Sequence, residues 1–120
     1  MSEKERNDEL RATITRKIAQ VEEQEDILCR EERKQMEQLA STVQELKREE
    51  ARYTDIFQQL HSLGDEDAQK TSSLLQTVTR DVRNSCQSQQ QTLAQHYRSL
   101  KRKLDDDREA LFRERGQIPW

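Results

Sequence analysis

The chain has 120 residues, 31% of them hydrophobic and 38% charged, with 21 basic and 24 acidic side chains leaving a net charge of −3. So little apolar material, against roughly 45–50% in ordinary globular domains, excludes a broad spherical core. The near-cancelling charges exclude the unbalanced composition of a disordered tail, and their slightly acidic sum argues against nucleic acid, which needs clustered, uncompensated positive charge.

Residues 2–63 predict one long helix. Ser2 followed three residues later by Glu5 is a capping-box pattern, in which side chains satisfy the first free backbone donors. Apolar residues then recur at three- and four-residue steps: Leu10, Ile14, Ile18, Val21 and Leu28. After that the rhythm tightens to Met36, Leu39, Val43, Leu46, Tyr53, Phe57 and Leu60, one stripe of a supercoiled helix. Two successive steps of four, from 28 to 36, are a stutter that locally unwinds such a supercoil. Glu25, Glu32 and Glu50 fall where the pattern reserves an apolar side chain, so each must be solvated or paired. The stripe is weakest across Glu22–Glu32, which is where a break is expected if the helix has one.

Residues 64–67 read as the turn. Gly64 is the first glycine of the chain, and no proline precedes Pro119. Glycine takes the left-handed conformation that ends a helix without steric cost. Asp65 then suits the cap of a second helix, and Glu66 and Asp67 place negative charge at its positive end. Stop and start signals this close allow only a tight connection between antiparallel neighbours.

The second arm, about residues 66–115, carries the stripe Leu75, Val78, Val82, Cys86, Gln89, Leu93, His96 or Tyr97, Leu100, Leu104, Asp107 and Leu111. The polar run Ser85–Gln91 is read as a solvated helix face, because glutamine is a good helix former. Gly116 ends the pattern, and residues 116–120 form a short tail with the only tryptophan, Trp120.

A fold about Gly64 sets residue i near residue 128 − i. Tyr53 then meets Leu75, Leu46 meets Val82, Leu39 meets Gln89, and Ile18 meets Ala110 and Leu111. The acidic run Glu22–Asp26 falls opposite the basic run Arg98–Lys103, and Arg16–Lys17 falls near Asp105–Asp107 and Glu109. Exposed pairs contribute only about 0–1 kcal/mol each; they select register and direction.

Isolated residues offer little chemistry. His96 maps opposite Glu32, either as a pH-sensitive pair or as a solvated spot with Tyr97 taking the inward role; the second fits better. His61 reads as an exposed helix-end residue. Cys29 and Cys86 are set too far apart along the hairpin to bridge, and with the two histidines they offer no metal-ligand spacing. Lys101, Arg102 and Lys103 form a possible partner contact for acidic surfaces, as do Ile118 and Trp120 for an apolar pocket. No phosphate-binding loop and no nucleophile–base constellation occurs, so neither catalysis, nor a cofactor, nor a metal is expected.

The chain is therefore expected to be all-α, a single antiparallel coiled-coil hairpin over residues 1–120. Such a hairpin buries only a stripe, so assembly into a four-helix bundle or a larger coiled-coil complex is expected. Ala12, Ala19, Ile27, Ala40, Ile56, Leu74, Ala94 and Phe112 lie off the main seam and supply a second, weaker stripe. The functional expectation is a non-catalytic scaffold or adaptor subunit of a multiprotein complex, cytoskeletal, ciliary, kinetochore or trafficking in kind. Protein partners would dock by helix packing, as homo- or hetero-oligomers. The alternative is a helical regulator or chaperone that binds an enzyme or tubulin reversibly. A third option is salt-sensitive binding of a filament or membrane surface through the basic stretch. No apolar run approaches the ~18 residues of a membrane span, and the opening Met-Ser-Glu-Lys-Glu-Arg is unlike a secretion signal. Cytoplasmic residence is expected, with nuclear or cytoskeletal association compatible.

Overall fold

A computed structural model describes residues 2–120. Two helices make up the fold, α1 over Glu3–Ser62 and α2 over Asp67–Gly116, and they run antiparallel as a helical hairpin. Strong helix formers fill both, and nothing between Glu3 and Ser62 interrupts the backbone ladder. Serines and threonines, which compete for backbone bonds, are absorbed: Thr13, Thr42, Ser62, Thr77 and Thr92 each donate to the carbonyl four residues back.

The helix ends follow from their residues. The Glu5 N–H donates to Ser2 Oγ at 3.1 Å, the first half of the expected capping box. At the turn, Gly64 has φ +97°. Its N–H donates to the His61 carbonyl, and the Asp65 N–H donates to the Leu60 carbonyl at 3.1 Å. This paired arrangement closes α1 by satisfying carbonyls the helix leaves free. Asp65 then accepts the Asp67 N–H at 3.0 Å and caps α2. Gly64 and Asp65 thus perform the stop and the start that their identities suggest.

Two compact units divide the hairpin. The terminal unit joins residues 1–33 with 94–120, and the turn unit is residues 34–93. In the terminal unit Ile14, Ile18 and Tyr97 are buried, with Val21, Leu28, Leu100, Leu104 and Leu111 half-buried beside them. Tyr97 takes the inward place, and His96, exposed, meets it only ring edge to ring face at 5.7 Å. In the turn unit Ala68, Thr79 and Cys86 are buried, and Met36, Leu39, Val43, Leu46, Phe57, Leu75 and Leu93 are half-buried. Gln35 and Met36 are both half-buried, the local phase slip expected of a stutter.

The inward stripe of α2 departs from the apolar pattern. Val78 is 57% exposed and Val82 40%, while Thr79 is 3% exposed and Arg83 is half-buried. Gln90 and Arg108 likewise turn inward where Gln89 and Asp107 were expected. Glu50 supplies the physical reason in the turn unit. It sits on the seam, and the rotation that brings Arg83 to it at 2.7 Å carries Val82 and Val78 outward. Fully burying both valines would gain about 3–6 kcal/mol, comparable to the several that a stranded buried carboxylate costs, and the valines keep part of that burial at 57% and 40% exposure. The Glu50–Arg83 pair tips this balance towards the observed azimuth. On α1, Tyr53 and Leu60 are also exposed rather than seated in the seam.

The register differs too. Glu25 pairs with Arg108, Glu32 with Lys101 and Glu50 with Arg83, so each pair's numbers add to 133 rather than 128. Thr15 receives a hydrogen bond from Arg115, a sum of 130. The non-helical connection extends past Gly64 to Glu66, which moves the mirror point towards α2. Long basic side chains then reach diagonally to their acids. The expected facing of Glu22–Asp26 with Arg98–Lys103 is replaced by these longer-numbered pairs.

Candidate interaction surface

The three glutamates that interrupt the seam are each neutralised by a cation from α2. Glu50 and Arg83 meet at 2.7 Å, Glu25 and Arg108 at 2.9 Å, and Glu32 hydrogen-bonds Lys101. Arg108 is shared with Asp105 at 2.8 Å. Burial, and the Asp105 carboxyl beside it, push the Glu25 carboxyl above its ordinary value, with Arg108 pulling the other way. The hydrogen bond to Glu32 lifts the Lys101 ammonium above its ordinary value. Glu25 Oε1 and Arg83 Nε are buried without a partner. These pairs fix register more than they add stability.

Lys101 is thus half-buried and engaged with Glu32, while Arg102 and Lys103 beside it are exposed. Lys101 and Arg102 line one groove with Arg98, where Glu32 meets the Lys101 charge. In the tail, Ile118 is half-buried and Trp120 is 97% exposed. Arg11 holds this segment: it donates to the Pro119 carbonyl, lies 4.2 Å from the centre of the Trp120 ring, and is anchored by Asp8. Cys29 is exposed, Cys86 is buried, and both are free thiols. Among the described residues no three His, Cys, Asp or Glu side chains stand where they could hold a metal. No helix among them is long and apolar enough to cross a membrane.

The most distinctive surface lies in the turn unit. Tyr53, Ile56, Leu74, Val78 and Val82 each immediately precede an inward residue, and all are exposed. Leu60 continues the α1 row one turn beyond Ile56 and is exposed as well. In an antiparallel pair a twofold axis normal to the plane of the helices relates the two, so equal offsets from the seam emerge on the same face. Residues one position after the seam bear this out on the opposite side, where Ala40, Gln44 and Lys47 line one groove with Gln87. One face of the turn unit is therefore apolar and the other is polar.

No family model matches the chain, and no curated protein or solved structure matches it. What the face can do must be read from its own side chains. Six large apolar residues in two parallel rows expose several hundred Å², the size at which an apolar patch marks an interaction site. Glu45 and Glu49 extend the α1 row away from the turn, and Ser85 and Gln89 extend the α2 row. The patch is bounded by polar residues, as a docking site is. Ile56 and Leu74 carry the sequence signal for it, whereas the three- and four-residue spacing predicts Tyr53, Leu60, Val78 and Val82 in the seam. The spacing that would have placed them outside was the Glu50–Arg83 match.

Proposed function

We propose that the protein is a non-catalytic interaction module, a small scaffold or adaptor subunit that enters a multiprotein assembly by helix packing. The observation that carries this reading is the one-sided apolar face of the turn unit, with Tyr53, Ile56 and Leu60 from α1 beside Leu74, Val78 and Val82 from α2. A helical hairpin with a thin seam presents two ready-made grooves to further helices, and packing in the i, i+3, i+4 manner buries such rows. Trp120 supplies a second, smaller anchor at the other end of each helix's sequence, held in place by Arg11 but open to solvent. Cytoskeletal, ciliary, kinetochore or trafficking complexes, reached in the cytoplasm, are the settings where such subunits serve.

Cross-linking mass spectrometry in native extract tests the proposal. The full chain should give cross-links concentrated near residues 52–82 and a partner at fixed stoichiometry, and Val78→Glu should abolish them. A partner retained by Val78→Glu and lost on Trp120→Ala would move the function to the tail. Reversible binding at variable ratio would favour the regulator reading instead.

A further inference from the structure

We propose that the occupant of the apolar face is a second copy of this chain, seated face to face with both turns at the same end. This rests on the reading of that face as a docking surface and names its partner. The first argument is self-complementarity. The face has an α1 row, Tyr53, Ile56 and Leu60, and an α2 row, Leu74, Val78 and Val82, side by side at matching levels. A twofold axis lying in the interface, parallel to the helices, places each row on the other row of the partner copy. Every neighbouring helix is then antiparallel, the packing of a four-helix bundle.

The second argument is charge. Turns together, Glu45 and Glu49 of one copy lie over the level of Ser85 and Gln89 in the other, so acid meets amide and hydroxyl. No acid faces an acid. With the turns at opposite ends and the apolar rows overlapped, Glu49 would instead lie over the level of the partner copy's turn, beside Asp65 and Glu66, so acid would meet acid. The polar groove on the reverse side, with Gln44, Lys47 and Gln87, offers no apolar rows to a copy.

The third argument is area. Leu74 is 67% exposed, Val78 57% and the other four between 37% and 44%. Two such faces bury on the order of 1,000 Å² in total, the threshold for a specific interface. Two helices alone bury just Ala68, Thr79 and Cys86 deeply in this unit, so a second layer converts a thin seam into a core.

The test is sedimentation equilibrium of the full chain under reducing conditions, from 1 to 100 µM. The expected result is a dimer that dissociates at least tenfold more readily in Ile56→Glu and in Val78→Glu, with helical circular dichroism retained because both sites are already exposed. Gln87→Glu on the reverse face should leave the dimer intact. A spin label on Leu63→Cys, placed in a Cys29→Ser background because that thiol is itself exposed, should report a short separation; the opposed arrangement lengthens it by roughly 20 Å and would overturn the orientation. A monomer throughout the range, or a dimer indifferent to both face variants, overturns the second copy as occupant. If Val78→Glu nonetheless loses a partner from native extract, the docking reading stands while the self-association does not.

Discussion

At the scale of single residues, Glu25 shows how a seam charge acts with pH. Its carboxyl is raised above the ordinary 4.5 by burial first and by Asp105 second. The folded chain therefore holds this proton more tightly than the unfolded chain does. The stability this confers is complete below about pH 4.5 and is lost as pH rises through the higher folded value. At neutral pH the ionised carboxylate is a burden, and Arg108 has Asp105 to keep it occupied. Glu25→Gln is thus expected to stabilise the fold at pH 7 by up to about 1 kcal/mol, an advantage that disappears below pH 4; paired thermal melts across pH check it. Arg11 makes the complementary case at the tail. Removing its guanidinium frees Pro119 and Trp120 together. Arg11→Ala should lower the fluorescence anisotropy of the only tryptophan while leaving helical content unchanged.

At the scale of helices, the contest between charge and hydrophobicity in α2 decides which face is buried. Glu50 draws Arg83 inward, and Val78 and Val82 are left outside. Replacing a half-buried pair by apolar residues of similar volume is often neutral or stabilising by about 1–4 kcal/mol. Glu50→Leu with Arg83→Leu should therefore raise the midpoint of denaturation, whereas Arg83→Leu alone, which strands the carboxylate, should lower it. A chemical denaturation series of the three variants checks the order. The turn is simpler: Gly64 at φ +97° leaves open space around an added Cβ, but the conformation itself is strained for any L side chain. Gly64→Ala should cost about 1–2 kcal/mol. These two sites also mark what the sequence made legible. Both helices, the turn and most of α1's inward residues follow from local rules: helix propensity, one glycine, and three- and four-residue spacing. The azimuth of α2 does not, because it depends on which cation Glu50 finds across the seam. A pattern of apolar letters cannot weigh a carboxylate against two valines; the recurring match of Glu25, Glu32 and Glu50 to cations at constant summed position could have.

At the scale of the whole molecule, the thin seam and the unpartnered face are one property seen twice. Among the described residues each unit buries only three side chains deeply, so little of the fold's stability is generated within one copy, and the proposed second copy would supply the remainder. Binding that favours the folded state makes the melting temperature depend on concentration. For a dimer that unfolds to separate chains, each tenfold rise in concentration adds about 1.4 kcal/mol to the assembly. Melts of the wild-type chain at 2, 20 and 200 µM should accordingly climb in steps, and those of Val78→Glu should coincide. Salt separates this from an association held by charge. The face carries no basic residue among its apolar rows, so screening has no attraction to weaken there. Raising salt to about 0.5 M should leave the concentration steps intact, since the Debye length then falls well below the ~8 Å of physiological conditions. Steps that collapse with salt would transfer the association to the exposed Arg102 and Lys103 and away from the valines.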